Sequence, residues 1–192
     1  MIGKVKNINT EKGFGFIQGN DGNDYYFNEE SLANDLLISE IYEKMNLEFE
    51  IARQREGKRS KAVNCRVFEI PEVKFFKEYA LIMDEKKELY DKFCDNVKNY
   101  AERLENNKVT TSMIRKLYAR ILNARSVVDI KYLRPHFAYT SGRNDNAILR
   151  EFMDLLDYLV KKMELDNQRH LRNFKDFMEA IVAYRKYVGK DN

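Results

Sequence analysis

The chain has 192 residues with 34 Lys/Arg against 31 Asp/Glu, a net charge of +3, and 44% hydrophobic content, which suits one large or two small globular domains at about 100–200 residues each. Two prolines and eight glycines exclude long disordered linkers, and no apolar run approaches the ~18 residues needed to cross a bilayer, so neither a membrane partner nor a cleaved leader is expected. Cys65 and Cys94 fit no metal-ligand spacing and are too few for a disulfide framework, so a reducing cytoplasm and no metal or other cofactor are expected.

Up to about residue 70 the hydrophobic period is two. Val5, Ile8, Phe14, Phe16, Ile17, Tyr25, Tyr26 and Phe27 fall in short runs broken by Gly13, Gly19 and the polar stretch Asn20 to Asp24. Leu47, Phe49 and Ile51 then alternate with polar residues, and a turn at Arg55 to Arg59 leads into Ala62 to Val67. Several short strands separated by turn signals predict a small all-β barrel.

The strings "GKVKNIN", "KGFGFI", "DYYFN" and "LEFEIARQREGKRSKAVNCRV" resemble a cold-shock domain, a five-stranded OB-type barrel. In that family aromatic rings on one face stack single-stranded bases, each worth about 1–3 kcal/mol. The resemblance implies Phe14, Phe16 and Tyr26 as rings, with Lys6 and Lys12 near phosphates. Two positions depart from the family pattern. Its usual Trp-Phe in the first strand is Asn7-Ile8, and the histidine closing the second motif is Asn28. This leaves two readings open: a residual RNA contact, or a barrel that docks mainly on protein.

Pro71 marks a boundary, and beyond it the period changes. Leu89, Phe93, Val97, Tyr100 and Leu104 recur every three or four residues, one face of a helix. Thr110, Thr111 and Ser112 offer hydroxyl N-caps for a second helix with the stripe Ile114, Leu117, Tyr118, Ile121 and Leu122. Lys116 and Arg120 project opposite that stripe, and Arg115 flanks it. Between 129 and 142, Pro135 suits a first helical turn and Gly142 an exit. Ile148 to Met163 carries a wide apolar face and predicts a central helix. The last helix has Leu171, Phe174, Phe177, Met178, Ile181 and Val182, with Arg185 continuing the stripe and therefore needing a partner. The expected fold is α+β in two domains: an OB-type barrel over 1–70, then an α-helical bundle of about five helices over 71–192.

Three further strings, "VTTSMIRKLYARI", "YLRPHFAYTSGR" and "FKDFMEAIVAYRKY", resemble the small subunit of type III-A CRISPR–Cas (Csm) effector complexes over about residues 75–188. That family is not expected to carry a cold-shock domain. The resemblance implies a non-enzymatic subunit that stacks with copies of itself and with other subunits beside the guide RNA and target RNA, in a basic channel. The charge distribution agrees in sign: residues 1–70 hold ten Lys/Arg against twelve Asp/Glu, 71–107 seven against nine, and 108–190 seventeen against nine. Cations of this kind contact phosphates and position RNA without reading its bases.

The candidate RNA contacts in the helical part are Arg115, Lys116, Arg120, Lys131, Arg134 and Arg143. Each has a plainer role available: Arg134 could cap carbonyls or pair with Asp129 or a glutamate, Arg143 could complement a helix C-terminus, and Lys116 and Arg120 could be solvated charges. The alternative function is a free-standing RNA chaperone whose barrel reads RNA and whose bundle dimerises. An enzyme reading finds little support. His136 and His170 could serve a ribonuclease only if brought to one phosphate; Asp154 and Asp157 are scattered helix-surface acids; and "GFGF" precedes no Gly-Lys-Ser/Thr. Tyr118, Tyr139, Tyr158 and Tyr184 read as core or interface aromatics rather than as stacking platforms.

Overall fold

The computed structural model describes residues 1–33, 36–52 and 60–189; the turn read at Arg55 to Arg59 lies outside them. The chain divides into two compact units, Met1–Glu69 and Ile70–Asn192, and each is taken by itself.

The first unit is a five-stranded antiparallel sheet of β1 (Ile2–Asn9), β2 (Phe14–Gly19), β3 (Asp24–Asn28), β4 (Asn46–Ile51) and β5 (Ala62–Val67), in the order β3-β2-β1-β4-β5. The alternation seen in sequence puts Val5, Ile17, Tyr25, Phe27, Leu47, Phe49 and Cys65 inside. A register shift between Val5 and Asn7 adds curl to β1. The two edges meet where the Tyr26 N–H donates to the Ser60 carbonyl (3.1 Å) beside a Tyr26–Lys61 bridge, which removes unpaired edge groups there. Gly15 is required by space: a Cβ would sit 2.7 Å from the Phe27 ring and 2.6 Å from the Asn7 carbonyl. Leu36, Ile38 and Ile41, from the connection between β3 and β4, complete this core.

The second unit holds seven helical segments among the described residues: α1 (Pro71–Tyr79), α2 (Tyr90–Asn106), α3 (Thr111–Asn123), α4 (Val127–Lys131), α5 (Arg134–Gly142), α6 (Ala147–Lys162) and α7 (Gln168–Val188). Sequence reading expected about five. The two extra are α1 and the single turn α4. Pro71 is not only a boundary but sits in the first turn of α1, where its missing N–H costs nothing, and α1 buries Val73, Phe75 and Phe76. In α4, Ser126 and Asp129 form a reciprocal capping box over a turn too short to show a period. Thr110 caps α3, accepting from the Met113 N–H at 3.3 Å.

The central role expected of α6 is shared. α6 packs on α5, α1 and α4, while α7 packs on α2, α3 and α4. The arginine in the α7 stripe does find a partner: Arg185 is 2% exposed and its Nε donates to the Val109 carbonyl at 2.9 Å. Its guanidinium lies against Gly189, where any Cβ would collide with it. Three turns earlier on α7, Lys175 Nζ donates to the carbonyls of Leu122 (3.1 Å) and Ala124 (2.6 Å), so α7 holds α3 at both ends. Arg185→Met keeps the bulk and removes the donor to a buried carbonyl, a loss of about 1–3 kcal/mol. The expected result is a lower urea midpoint for the helical signal at unchanged m-value; an unaltered midpoint would show that the bond adds nothing.

Candidate nucleic-acid interface

On the barrel, strand register builds the aromatic face. Asn7, Phe16 and Tyr26 lie in one row across β1, β2 and β3, and Asn9, Phe14 and Asn28 in the next. The three rings cluster, with centroids 6.4 Å (Phe14–Phe16), 6.0 Å (Phe14–Tyr26) and 5.8 Å (Phe16–Tyr26) apart, and all are half-buried. The two asparagines occupy the ends of this patch. Asn28 is tied into the following turn, its Oδ1 accepting from Ser31 Oγ at 2.7 Å; Asn7 is exposed. Lys6 pairs with Asp24 on an exposed surface, a pair worth about 0–1 kcal/mol and easily exchanged. The Lys12 side chain is exposed.

In the helical unit, the cations of 108–190 sort by what they touch. Lys131 Nζ donates to the carbonyls of Val160 (3.0 Å) and Lys161 (3.4 Å), closing the C-terminus of α6. Arg134 grips Asp157 through Nε (2.6 Å), with Lys161 on the same carboxylate at 2.9 Å. Arg169 binds Asp84 and Glu85, and Arg172 lies 3.5 Å from Asp84; Lys175 and Arg185 hold α3. Three of the cations that remain on display are on α3. Arg115, Lys116 and Arg120 are exposed, opposite the buried Ile114, Leu117 and Ile121, and no described carboxylate pairs with them. Arg143, also exposed, donates from Nη1 to the Tyr139 hydroxyl at 3.3 Å.

Six helical candidates therefore fall into two groups. Arg115, Lys116, Arg120 and Arg143 present charge to solvent; Lys131 and Arg134 are engaged by α6. The sequence reading missed Asp157 as the partner of Arg134 because the two are 23 residues apart on different helices. Among the tyrosines, Tyr118, Tyr158 and Tyr184 do pack against the core. Tyr139 does not: it is 61% exposed.

The histidines serve local roles. His170 Nδ1 accepts the Glu164 N–H at 3.3 Å in the turn before α7. His136 lies in the first turn of α5, and burial, then the nearby Arg120 charge, push its pKa down. Among the described residues no group of three or more His, Cys, Asp or Glu is arranged to hold a metal, and no helix is long and apolar enough to cross a membrane.

A nearly closed barrel with an aromatic face, joined to a helical bundle displaying one cationic face, defines the class. Residues 1–67 match the family described as 'Cold-shock' DNA-binding domain, and residues 87–191 the family described as Csm2 Type III-A. A Streptococcus thermophilus relative, "CRISPR system Cms protein Csm2", is 34% identical over 108 residues, spanning 50% of this chain and 82% of its own. "Cold shock-like protein CspE" of Bacillus anthracis is 36% identical over 63 residues, 33% of this chain and 92% of its own. The chain belongs to the Csm2 family of type III-A CRISPR small subunits, and carries a cold-shock domain ahead of it.

The Arg134–Asp157 contact gives a pH-dependent expectation. Burial alone would raise the Asp157 carboxyl, but hydrogen bonds from Arg134 and Lys161 outweigh it and hold it below the ordinary carboxylate range. The stabilisation is therefore present above the unfolded value of about 4 and lost as pH falls through the lower folded value. Arg134→Gln should lower the urea midpoint at neutral pH, with the difference fading in acid. No difference at neutral pH would return Arg134 to the group available for RNA.

Proposed function

We propose that this chain acts without catalysis as an RNA-contacting small subunit of a cytoplasmic type III-A effector complex, lining the path of guide and target RNA alongside copies of itself and other subunits. The observation that carries the reading is the outer face of α3, where Arg115, Lys116 and Arg120 are exposed and, among the described residues, unmatched by carboxylates. Phosphate contacts need such displayed cations, since a cation already paired gives up less counterion-release energy. Arg143 extends the set. Lys131 and Arg134 contribute by holding α4 and α5 on α6. On the barrel, Phe14, Phe16 and Tyr26, with Lys12 and Lys6, form an auxiliary contact.

The ring cluster supports a second reading, in which the barrel is the reader and the protein works alone as a chaperone. Stacking and phosphate contact differ in salt dependence, which separates them. In the full chain, Arg115→Ala/Lys116→Ala/Arg120→Ala should lower the slope of log affinity against log salt for single-stranded RNA by about 2, at ~0.7 per lost phosphate contact. Phe14→Ala/Phe16→Ala should weaken binding with little change of slope. If the ring pair removes most of the affinity and the α3 triple leaves it intact, the chaperone reading replaces the first.

A further inference from the structure

Arg143, one of the cations displayed by the helical unit, places its guanidinium against the hydroxyl of an exposed aromatic side chain. Its Nη1 donates to the Tyr139 hydroxyl at 3.3 Å, one helical turn back on α5, and Tyr139 is nevertheless 61% exposed. A tyrosine in solvent gains nothing for the fold from its ring, yet this one is fixed at its hydroxyl end by a charged donor. Arg143 thus brings a displayed cation to the phenol, and no described carboxylate pairs with it. Tyr132 offers a comparison within the same molecule. It is more exposed, at 76%, but its sequence neighbours Lys131 and Arg134 are engaged by the α6 carbonyls and by Asp157.

We infer that Tyr139 is a stacking platform for an unpaired RNA base, with Arg143 fixing the phenol and meeting the adjoining phosphate. The inference rests on the RNA-contacting reading above and deepens it: the helical surface takes single-stranded or extruded nucleotides, not only the backbone of a continuous duplex. An aromatic ring beside a displayed guanidinium group is an arrangement by which proteins hold single strands without reading sequence, because every base offers a π-face. Proximity of Arg143 to the ring adds a cation where the phosphate of the stacked nucleotide must go.

The chain contains no tryptophan, so Tyr139→Trp creates a single fluorescent reporter at the site in the full-length protein. The probes are an oligouridine and the same strand with abasic sites at alternate positions. Oligouridine should quench the indole, whereas the abasic strand should bind about tenfold more weakly with an unchanged salt slope and no quenching. Tyr139→Leu should narrow the difference between the two strands, leaving only what the barrel rings contribute, Tyr139→Phe should keep it, and Tyr132→Trp should report no quenching. Equal affinity for both strands with an unquenched indole overturns the platform while leaving the phosphate reading standing. Absence of binding by the unsubstituted chain to either strand overturns both. Quenching that grows with protein concentration and needs no RNA assigns Tyr139 to a contact between copies and overturns the proposal.

Discussion

The hold of α7 on α3 is the constraint from which the rest of the helical unit follows. Arg185 takes the Val109 carbonyl just ahead of α3, and Lys175 takes the carbonyls of Leu122 and Ala124 at its end. Between these two points the stripe Ile114, Leu117 and Ile121 is buried. With both ends fixed, α3 has no freedom to roll about its axis. A roll of one residue, about 100°, would bury Arg115 and expose Ile114. The display of Arg115, Lys116 and Arg120 is thus enforced by two other cations, one buried and one half-buried, that are spent on backbone carbonyls.

That division of labour explains how a segment with seventeen cations against nine acids can be a folded bundle. A guanidinium or ammonium can be withdrawn from water only where carbonyls or carboxylates replace its hydration. Helix C-termini supply such carbonyls, because their last C=O groups lack intrahelical partners. Lys131 at the end of α6 and Lys175 at the end of α3 use them; Arg134 and Arg169 use carboxylates on neighbouring elements. Part of the excess left over, Arg115, Lys116 and Arg120, lies on the outer side of α3 with no acid paired to it among the described residues. Net charge alone would not have located it.

This also marks what the sequence could and could not reveal. Alternation made the strands legible, and the register that clusters Phe14, Phe16 and Tyr26 follows from two strand pairings. The 3.6-residue period located α2, α3, α6 and α7. It failed for α1, whose start was taken for a boundary because Pro71 can as well open a helix as end a strand, and for α4, which is one turn long. Period says which face turns inward, never which distant residue will meet it. Asp157 for Arg134, Val109 for Arg185 and the α6 carbonyls for Lys131 all lie beyond the reach of a helical repeat. The exposure of Tyr139 was hidden for the same reason: an aromatic within an amphipathic stretch reads as core until the opposing helix is known to cover Phe137 instead.

The two units apply different physics to what is proposed to be the same ligand. The barrel, with ten cations against twelve acids over residues 1–70, lacks the net positive charge that releases counterions, so any affinity it has for RNA must come from stacking. Its aromatic patch is shortened at both ends, by Asn7 and by an Asn28 that caps the next turn. A shortened stacking face gives weak, salt-tolerant contact; a cationic helix face gives stronger contact that salt screens. Joined in one chain, the weak contact gains from the high effective concentration that the strong one creates. On the proposed reading, a barrel that held RNA only weakly by itself would still act once the helical unit was bound, and would release readily when that unit let go.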